Sequence, residues 1–276
     1  MGLGAFIAAG RSLDSALRRA ERADELGYES VFVTHISGRD SITLLTGYAA
    51  RTSRVRLGTG VIPIYARTPA NMAQSFATLD ELSGGRAIAG LGVSHKPVVE
   101  HWFGQSIDKP LAEMREYVAI FRAILRGDDP PPGEKFRTAF RLTGCEPRAD
   151  MPVYLAGLSP RMLRLAGEIA DGVVLWLCNP NYIRDIVVPT VRDFNLPYYR
   201  AMLERSGLDP DAGPTDEFLD LLGAIGSPDE ARASVRRYAD SGTTSPCIGG
   251  IAATDFDATI EALAQGLDQP AASASA

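Results

Sequence analysis

The sequence predicts an α/β protein of the TIM (β/α)8 barrel type, short of one βα unit after its sixth strand. Three observations carry that expectation. Short apolar runs alternate with helical periodicity at a spacing of roughly 25 to 45 residues, which implies right-handed crossovers and a parallel sheet. The 276 residues are enough for one large barrel. Glycines and polar groups gather where strands end, the side on which α/β folds build their sites. No convincing strand stands between Cys178 and Ser245, so the count is seven rather than eight.

The elements follow in order. Gly2 to Ala9 is an apolar run of strand length. Ser12 caps a helix in which Leu13, Ala16, Leu17, Ala20, Ala23 and Leu26 recur at helical spacing, and Gly27 stops it. Ser30 to Thr34 is a β-branched second strand ending at His35, and Asp40 to Arg51 is the next helix. The third strand starts at Arg56 and ends in Thr59-Gly60-Val61. A loop with Pro63 and Pro69, a helix from Ala70 to Leu82 and a Ser-Gly-Gly-Arg stop follow it. The fourth strand, Ala87 to Val93, runs out into Ser94-His95-Lys96-Pro97. Leu111 to Leu125 is a strongly amphipathic helix.

Residues 127–150 break the rhythm with Pro, Gly and charge. An alternating patch, Phe136 to Leu142, suggests a short hairpin, and the insertion suggests a lid or an interface element. Val153 to Ala156 is the fifth strand, Pro160 to Ala170 the next helix, and Gly172 to Cys178 a sixth strand apolar on both faces. Further helices are expected over Tyr182 to Val191, Phe194 to Arg205, Glu217 to Leu222 and Pro228 to Ser241, the last capped by Ser227 with Pro228 in its first turn. Ser245 to Ile251 reads as the last strand and Asp255 to Leu263 as the last helix. The whole is one barrel domain over residues 1–267, with a disordered tail over 268–276.

Composition excludes several classes. A net charge of −6 and a pI near 5.2 argue against nucleic acid or an anionic membrane as the main partner. No apolar run approaches the roughly 20 residues of a membrane span, and the first ten residues are strand-like, so a cytoplasmic protein is expected. Lys96, Lys109 and Lys135 are the only lysines, and Arg supplies the rest of the 28 cationic groups. Cys145, Cys178 and Cys247 have neither disulfide nor zinc spacing, and Cys178 reads as packing within the sixth strand. His95, Glu100 and His101 lack the spacing of a helical metal motif, and His101 beside Trp102 and Phe103 reads as a packing residue. Neither a GxSxG elbow nor a P-loop is present, and the dinucleotide GxGxxG fingerprint is absent. Asp80 and Glu81 fall late in a helix, solvated or paired with Arg86.

Four groups could carry chemistry. His35 ends a strand at the mouth of a barrel, where a neutral imidazole can give or take a proton. Thr59-Gly60-Val61 ends the third strand, where a glycine lets the backbone approach a flat ligand or simply bend. Gly90 and Gly92 leave room inside the barrel, and Ser94 and His95 then face the mouth. Ala156-Gly157-Leu158-Ser159 leads into a helix start, which serves equally as a phosphate cradle or as an ordinary Ser cap.

Taken together, ADELGYESVFVTH, RVRLGTGVIPIYARTPANMAQSFATLDELSGGRAIAGLGVSH and VYLAGLSPRMLRLAGEIADGVVLW resemble the bacterial luciferase-like monooxygenase superfamily, in its flavin- and coenzyme F420-dependent oxidoreductase branch. The resemblance covers residues 2–192 well and 193–266 loosely. It implies a barrel holding F420, or FMN as the alternative, at the carboxyl ends of its strands. His35 then falls where F420-dependent members place a proton-handling His. Gly60-Val61 falls where many members have a non-proline cis peptide against the ring. His95 replaces an acidic catalytic residue, and Gly157, Leu158 and Ser159 fall on the cofactor phosphate site. About 40 residues expected after the sixth strand are missing. The implied function is hydride transfer between F420 and a small-molecule substrate, with His35 and His95 catalytic and Thr59, Gly60, Val61, Ser94, Ala156, Gly157, Leu158 and Ser159 holding the cofactor. The alternatives are an FMN-dependent monooxygenase using O2 and a non-catalytic relative that has lost its cofactor site. A homodimer is expected on the same ground.

Overall fold

The computed structural model describes residues 2–8, 10, 12–176, 178–193, 227–249 and 256–265. Eight strands are present: β1 (Gly4–Phe6), β2 (Ser30–Val33), β3 (Arg56–Thr59), β4 (Ile62–Pro63), β5 (Ala87–Gly92), β6 (Val153–Ala156), β7 (Gly172–Val174) and β8 (Cys247–Gly249). They form one curled parallel sheet in the order β7-β6-β5-β3-β2-β1-β8, with β4 also beside β5. Helices α1 (Leu13–Glu25), α2 (Ser41–Ala49) and α3 (Pro69–Ser83) follow β1, β2 and β4, α4 (Lys96–Trp102) and α5 (Pro110–Arg126) both follow β5, and α6 (Pro160–Ile169) follows β6. This is the expected TIM-barrel arrangement. Between β7 and β8 the described residues hold helices and no strand, so β7 and β8 are not paired among them.

The two faces of the sheet differ in kind. Side chains alternate along a strand. Ala5, Ile7, Val31, Val33, Leu57, Ala89, Leu91, Val153 and Leu155 join the helices in the main apolar core. The opposite face carries Phe6, Phe32 and Tyr154 among Gly58, Gly60, Gly90 and Gly92. The rings of Phe6 and Phe32 lie 5.7 Å apart, Phe32 stacks on Tyr154 at 6.5 Å, and Trp176 meets Phe6 edge-on at 5.6 Å. The glycines make room for these rings. A Cβ on Gly58 would lie 2.3 Å from the Phe32 ring, and one on Gly60 2.3 Å from the Phe6 ring.

Local signals account for the helix ends. Asp40 caps α2, Thr68 caps α3 with Pro69 in the first turn, and Gly84 closes α3 in the left-handed conformation. Beyond β7, Asn179 caps α7 (Pro180–Tyr182), which continues through a π turn over Ile183–Val187 into α8 (Val188–Asp193). Then α9 (Pro228–Asp240) opens with the expected Ser227 cap, completed into a capping box by Glu230. The last helix, α10 (Phe256–Ala264), follows β8. The helices expected over Phe194 to Arg205 and Glu217 to Leu222, and the tail over 268–276, lie outside the described residues.

Several expectations are corrected. The sixth predicted strand ends at Val174, and Cys178 packs in a second apolar cluster with Leu163, Tyr182, Ile183 and Ile186. The hairpin over Phe136 to Leu142 is absent. Residues 127–150 form an irregular strap held by side chains instead. Glu116 on α5 accepts the backbone N–H groups of Glu134 (2.7 Å), Lys135 (3.0 Å) and Phe136, and the Phe136 ring packs between Tyr65 and Tyr117. A strap fixed by long-range contacts has no reason to show strand periodicity.

Asp80 is buried rather than solvated. It receives both a fork of hydrogen bonds from Arg148 at 3.0 Å each and the Ala87 N–H at 3.0 Å, tying the end of the strap to α3 and β5. Arg86 does not pair with it. Its guanidinium gathers the carbonyls of Thr52 (2.8 Å), Val55 (2.7 Å) and Ser83 (2.6 Å) beyond the end of α2. His101 and Trp102 are exposed on α4, so neither packs as expected, and Leu13 is exposed on α1.

Candidate active site

The expected site residues come from the carboxyl ends of β2, β3, β5 and β6. His35 stands two residues beyond β2 with its side chain 14% exposed. Its Nδ1 lies 3.0 Å from Ser41 Oγ and 3.5 Å from the Ser41 backbone N–H, at the start of α2. A backbone N–H can only donate, so Nδ1 is the acceptor and Nε2 carries the proton. Burial holds the His35 pKa below its ordinary 6.5. Asp40, 3.9 Å away, pulls it up, and Arg67 pushes it down. The positive end of α2 acts in the same direction as burial. The result is a neutral imidazole with Nε2–H, which among the described residues has no protein partner.

Thr59 is fully buried, and its hydroxyl bridges β3 and β5. It donates to the Gly90 carbonyl at 2.7 Å and accepts the Gly90 N–H at 3.0 Å. That hydroxyl is committed to the sheet, so Thr59 reaches a ligand only through its backbone. The Gly60–Val61 peptide is cis, the geometry the resemblance implies. Gly92 faces Val61 and Ala156: a Cβ there would lie 2.6 Å from Val61 Cγ2 and 3.3 Å from Ala156 Cβ. Gly92 thus lets β5 pack closely on Val61 and Ala156 beside the aromatic face.

Ser94 follows β5 with φ at 60°, a conformation that disfavours any residue but glycine. Such positions concentrate at ligand sites. His95 is exposed at the start of α4, makes no side-chain cap bond there, and has no hydrogen-bond contact to His35 among the described residues. Ser159 caps α6 by accepting the Met162 N–H at 3.3 Å, and the Leu158 carbonyl takes the Tyr182 hydroxyl at 2.9 Å. The ordinary cap is therefore made; Pro160 has no N–H, Leu163 donates to the Ser159 carbonyl at 2.9 Å, and the Arg161 N–H is what the first α6 turn leaves for an anion.

Asp40 and Arg67 were missed as site residues. Asp40 reads from the sequence as the first residue of a helix, which it in fact caps, and nothing in the spacing ties Arg67 to it. Among the described residues no group of His, Cys, Asp and Glu could hold a metal, and no helix is long and apolar enough to cross a membrane. A groove of about 570 Å³ runs between α5 and α6, lined by Leu111, Arg115, Pro131, Pro132, Arg161 and Leu165. It lies in the helix layer, and no strand-end residue lines it.

Comparison with known proteins identifies the family and the fold. The family model for luciferase-like monooxygenases matches residues 1–213. A Mycobacterium tuberculosis protein named as a coenzyme F420-dependent oxidoreductase, Rv3520c, is 41% identical over 169 residues, 56% of this chain and 48% of its own length. The chain therefore spans about half the length of that relative. The 5,10-methylenetetrahydromethanopterin reductase of Methanolobus tindarius is 28% identical over an alignment of 294 positions, covering 83% of this chain and 88% of the reductase. In structure, the coenzyme F420-dependent tetrahydromethanopterin reductase of Methanopyrus kandleri superposes with a TM-score of 0.83 at 21% identity, over 96% of this chain and 97% of that one. That likeness establishes the barrel fold.

Proposed function

The chain belongs to the luciferase-like monooxygenase family, and from that membership we propose that it is an oxidoreductase moving a hydride between coenzyme F420 and a small organic substrate. The observation that carries the proposal is His35, a half-buried neutral imidazole at a strand end whose tautomer Ser41 fixes with the proton on Nε2. Relatives named as F420-dependent favour this cofactor over FMN.

F420, when bound, supplies a deazaflavin carbon that gives or takes a hydride; the protein's share is positioning and electrostatics. Gly60 and Val61, with Gly92 and Ala156 beside them, would hold the ring. Gly157, Leu158 and Ser159, at the positive end of α6, receive the cofactor phosphate on backbone N–H groups. Thr59, bridged to Gly90, and Ser94, with φ at 60°, would set the backbone that holds the cofactor. His35 would aim its Nε2–H at the substrate atom that gains charge as the hydride arrives and stabilise it by a hydrogen bond, with Nδ1 still accepting from Ser41 and a solvent proton completing the reduction. His95, exposed at the next strand end, serves as a proton carrier at the rim. We place the enzyme in the cytoplasm as a homodimer.

The second reading is an FMN-dependent monooxygenase using O2, favoured by the description of the family model itself. The two part on oxygen. Under strict anaerobiosis, reduced F420 with a panel of enones, ketones and imines is expected to be oxidised at a rate proportional to enzyme. Turnover that appears only with reduced FMN and O2 would transfer the assignment to the monooxygenase.

A further inference from the structure

The two oxygens of Asp40 have separate duties. Oδ1 accepts the Thr43 N–H and the Thr43 hydroxyl, each at 2.8 Å, and so caps α2. Oδ2, the oxygen 3.9 Å from His35 Nδ1, receives the Arg67 guanidinium. Arg67 is itself tied down. It donates to Asn71 Oδ1 at 3.1 Å and to Ser75 Oγ at 3.4 Å, and its carbonyl accepts the Tyr117 hydroxyl at 2.9 Å. The carboxylate oxygen nearest the imidazole is therefore held by a cation anchored on α3 and α5.

We infer that Arg67 is a positioning residue for His35: by occupying Asp40 Oδ2 it prevents that carboxylate from pairing with the imidazole, and so keeps His35 neutral with its proton on Nε2. A free carboxylate at this distance would do the opposite, since an opposite charge within about 4–6 Å favours the imidazolium. Asp40, from the start of α2, and Arg67, from the loop before α3, are the charged groups acting on the ring among the described residues. Arg39, the other charge in the loop after β2, is exposed and donates to the Gly10 carbonyl at 2.8 Å. The inference rests on the reading of His35 as the proton-handling group.

The test is an NMR titration of the imidazoles. The chain has only three histidines, and the spectrum of His35→Gln identifies the His35 signal. Arg67→Met is expected to raise the His35 titration by about half to one pH unit, roughly three- to tenfold in its protonation equilibrium. Arg67→Lys, which keeps the cation, should stay nearer the wild type. Asp40→Asn should lower the titration while keeping the helix, because Asn caps as well as Asp. In the Arg67→Met background, Asp40→Asn should cancel the rise. An unchanged His35 titration in both Arg67→Met and Asp40→Asn would overturn the inference, and the second variant decides if the first fails to fold. The outcome separates from the proposed function: if His35→Gln leaves turnover intact, the proton role fails even where the titrations behave as expected.

Discussion

His35→Ala lowers turnover about 10²- to 10⁴-fold, the usual worth of a positioned general acid or base, while F420 binding changes little. The imidazole is anchored through Nδ1 to Ser41, so the substitution removes the short contact to the Ser41 hydroxyl and the longer one to its N–H, and leaves the α6 start untouched. Its structural cost is about 1 kcal/mol, the net worth of a typical hydrogen bond. A comparable loss of cofactor affinity would mean that His35 holds the ring rather than the proton. The pH dependence follows from the direction of its shift. His35 is held below its ordinary 6.5, so between the two values the unfolded chain binds more protons than the folded one. Its contribution to stability is full above 6.5 and is lost as pH falls through the lower folded value. The acidic limb of the rate profile should fall in the same window, and it should be absent from the residual activity of His35→Ala.

Gly90→Ala costs about 3 kcal/mol or more in stability, at or beyond the upper end for overpacking, and is expected to yield little folded protein. A Cβ at Gly90 would lie 1.7 Å from the Thr59 carbonyl oxygen and 3.3 Å from the Thr59 hydroxyl. The obstacle is backbone, which cannot rotate aside as a side chain can. Yielding would break the Thr59 bridge to both polar groups of Gly90 and open the sheet between β3 and β5. Gly38 supplies the control. A Cβ there meets nothing within 4 Å and its φ is not positive, so Gly38→Ala should stay within about 0.5 kcal/mol. Chemical denaturation of the two variants measures the contrast.

These glycines show where sequence reasoning reaches and where it stops. That Gly90 and Gly92 mark the barrel interior is legible from alternation within one strand, whereas Gly60 reads only as a close backbone approach or a bend. What each makes room for depends on register between strands: the Phe6 ring for Gly60, the Thr59 carbonyl for Gly90, Val61 and Ala156 for Gly92. Caps were legible for the same local reason, since Ser12, Ser159 and Ser227 each act within three residues. Asp80 with Arg148, Glu116 with the strap, and Asp40 with Arg67 were not, because their partners lie 68, up to 20 and 27 residues away. The short elements were missed through weak signals. α4 has seven residues and only Pro97 to announce it, and β4 has two. Leu175 to Cys178 looks like strand because it is apolar, but Asn179 starts a helix and draws the chain away from β7.

The most direct test of the central claim is equilibrium titration of the purified protein with F420 and, separately, with FMN, followed by fluorescence. The only two tryptophans, Trp102 and Trp176, are largely exposed, and Trp176 lies against Phe6 on the face that would receive the ring. The account predicts micromolar F420 binding that quenches the tryptophan emission, a smaller quench in Trp176→Phe, and little response to FMN. Binding of FMN alone would contradict the cofactor assignment. Binding of neither, by a chain that melts cooperatively, would contradict the enzyme and leave a folded barrel without a cofactor site.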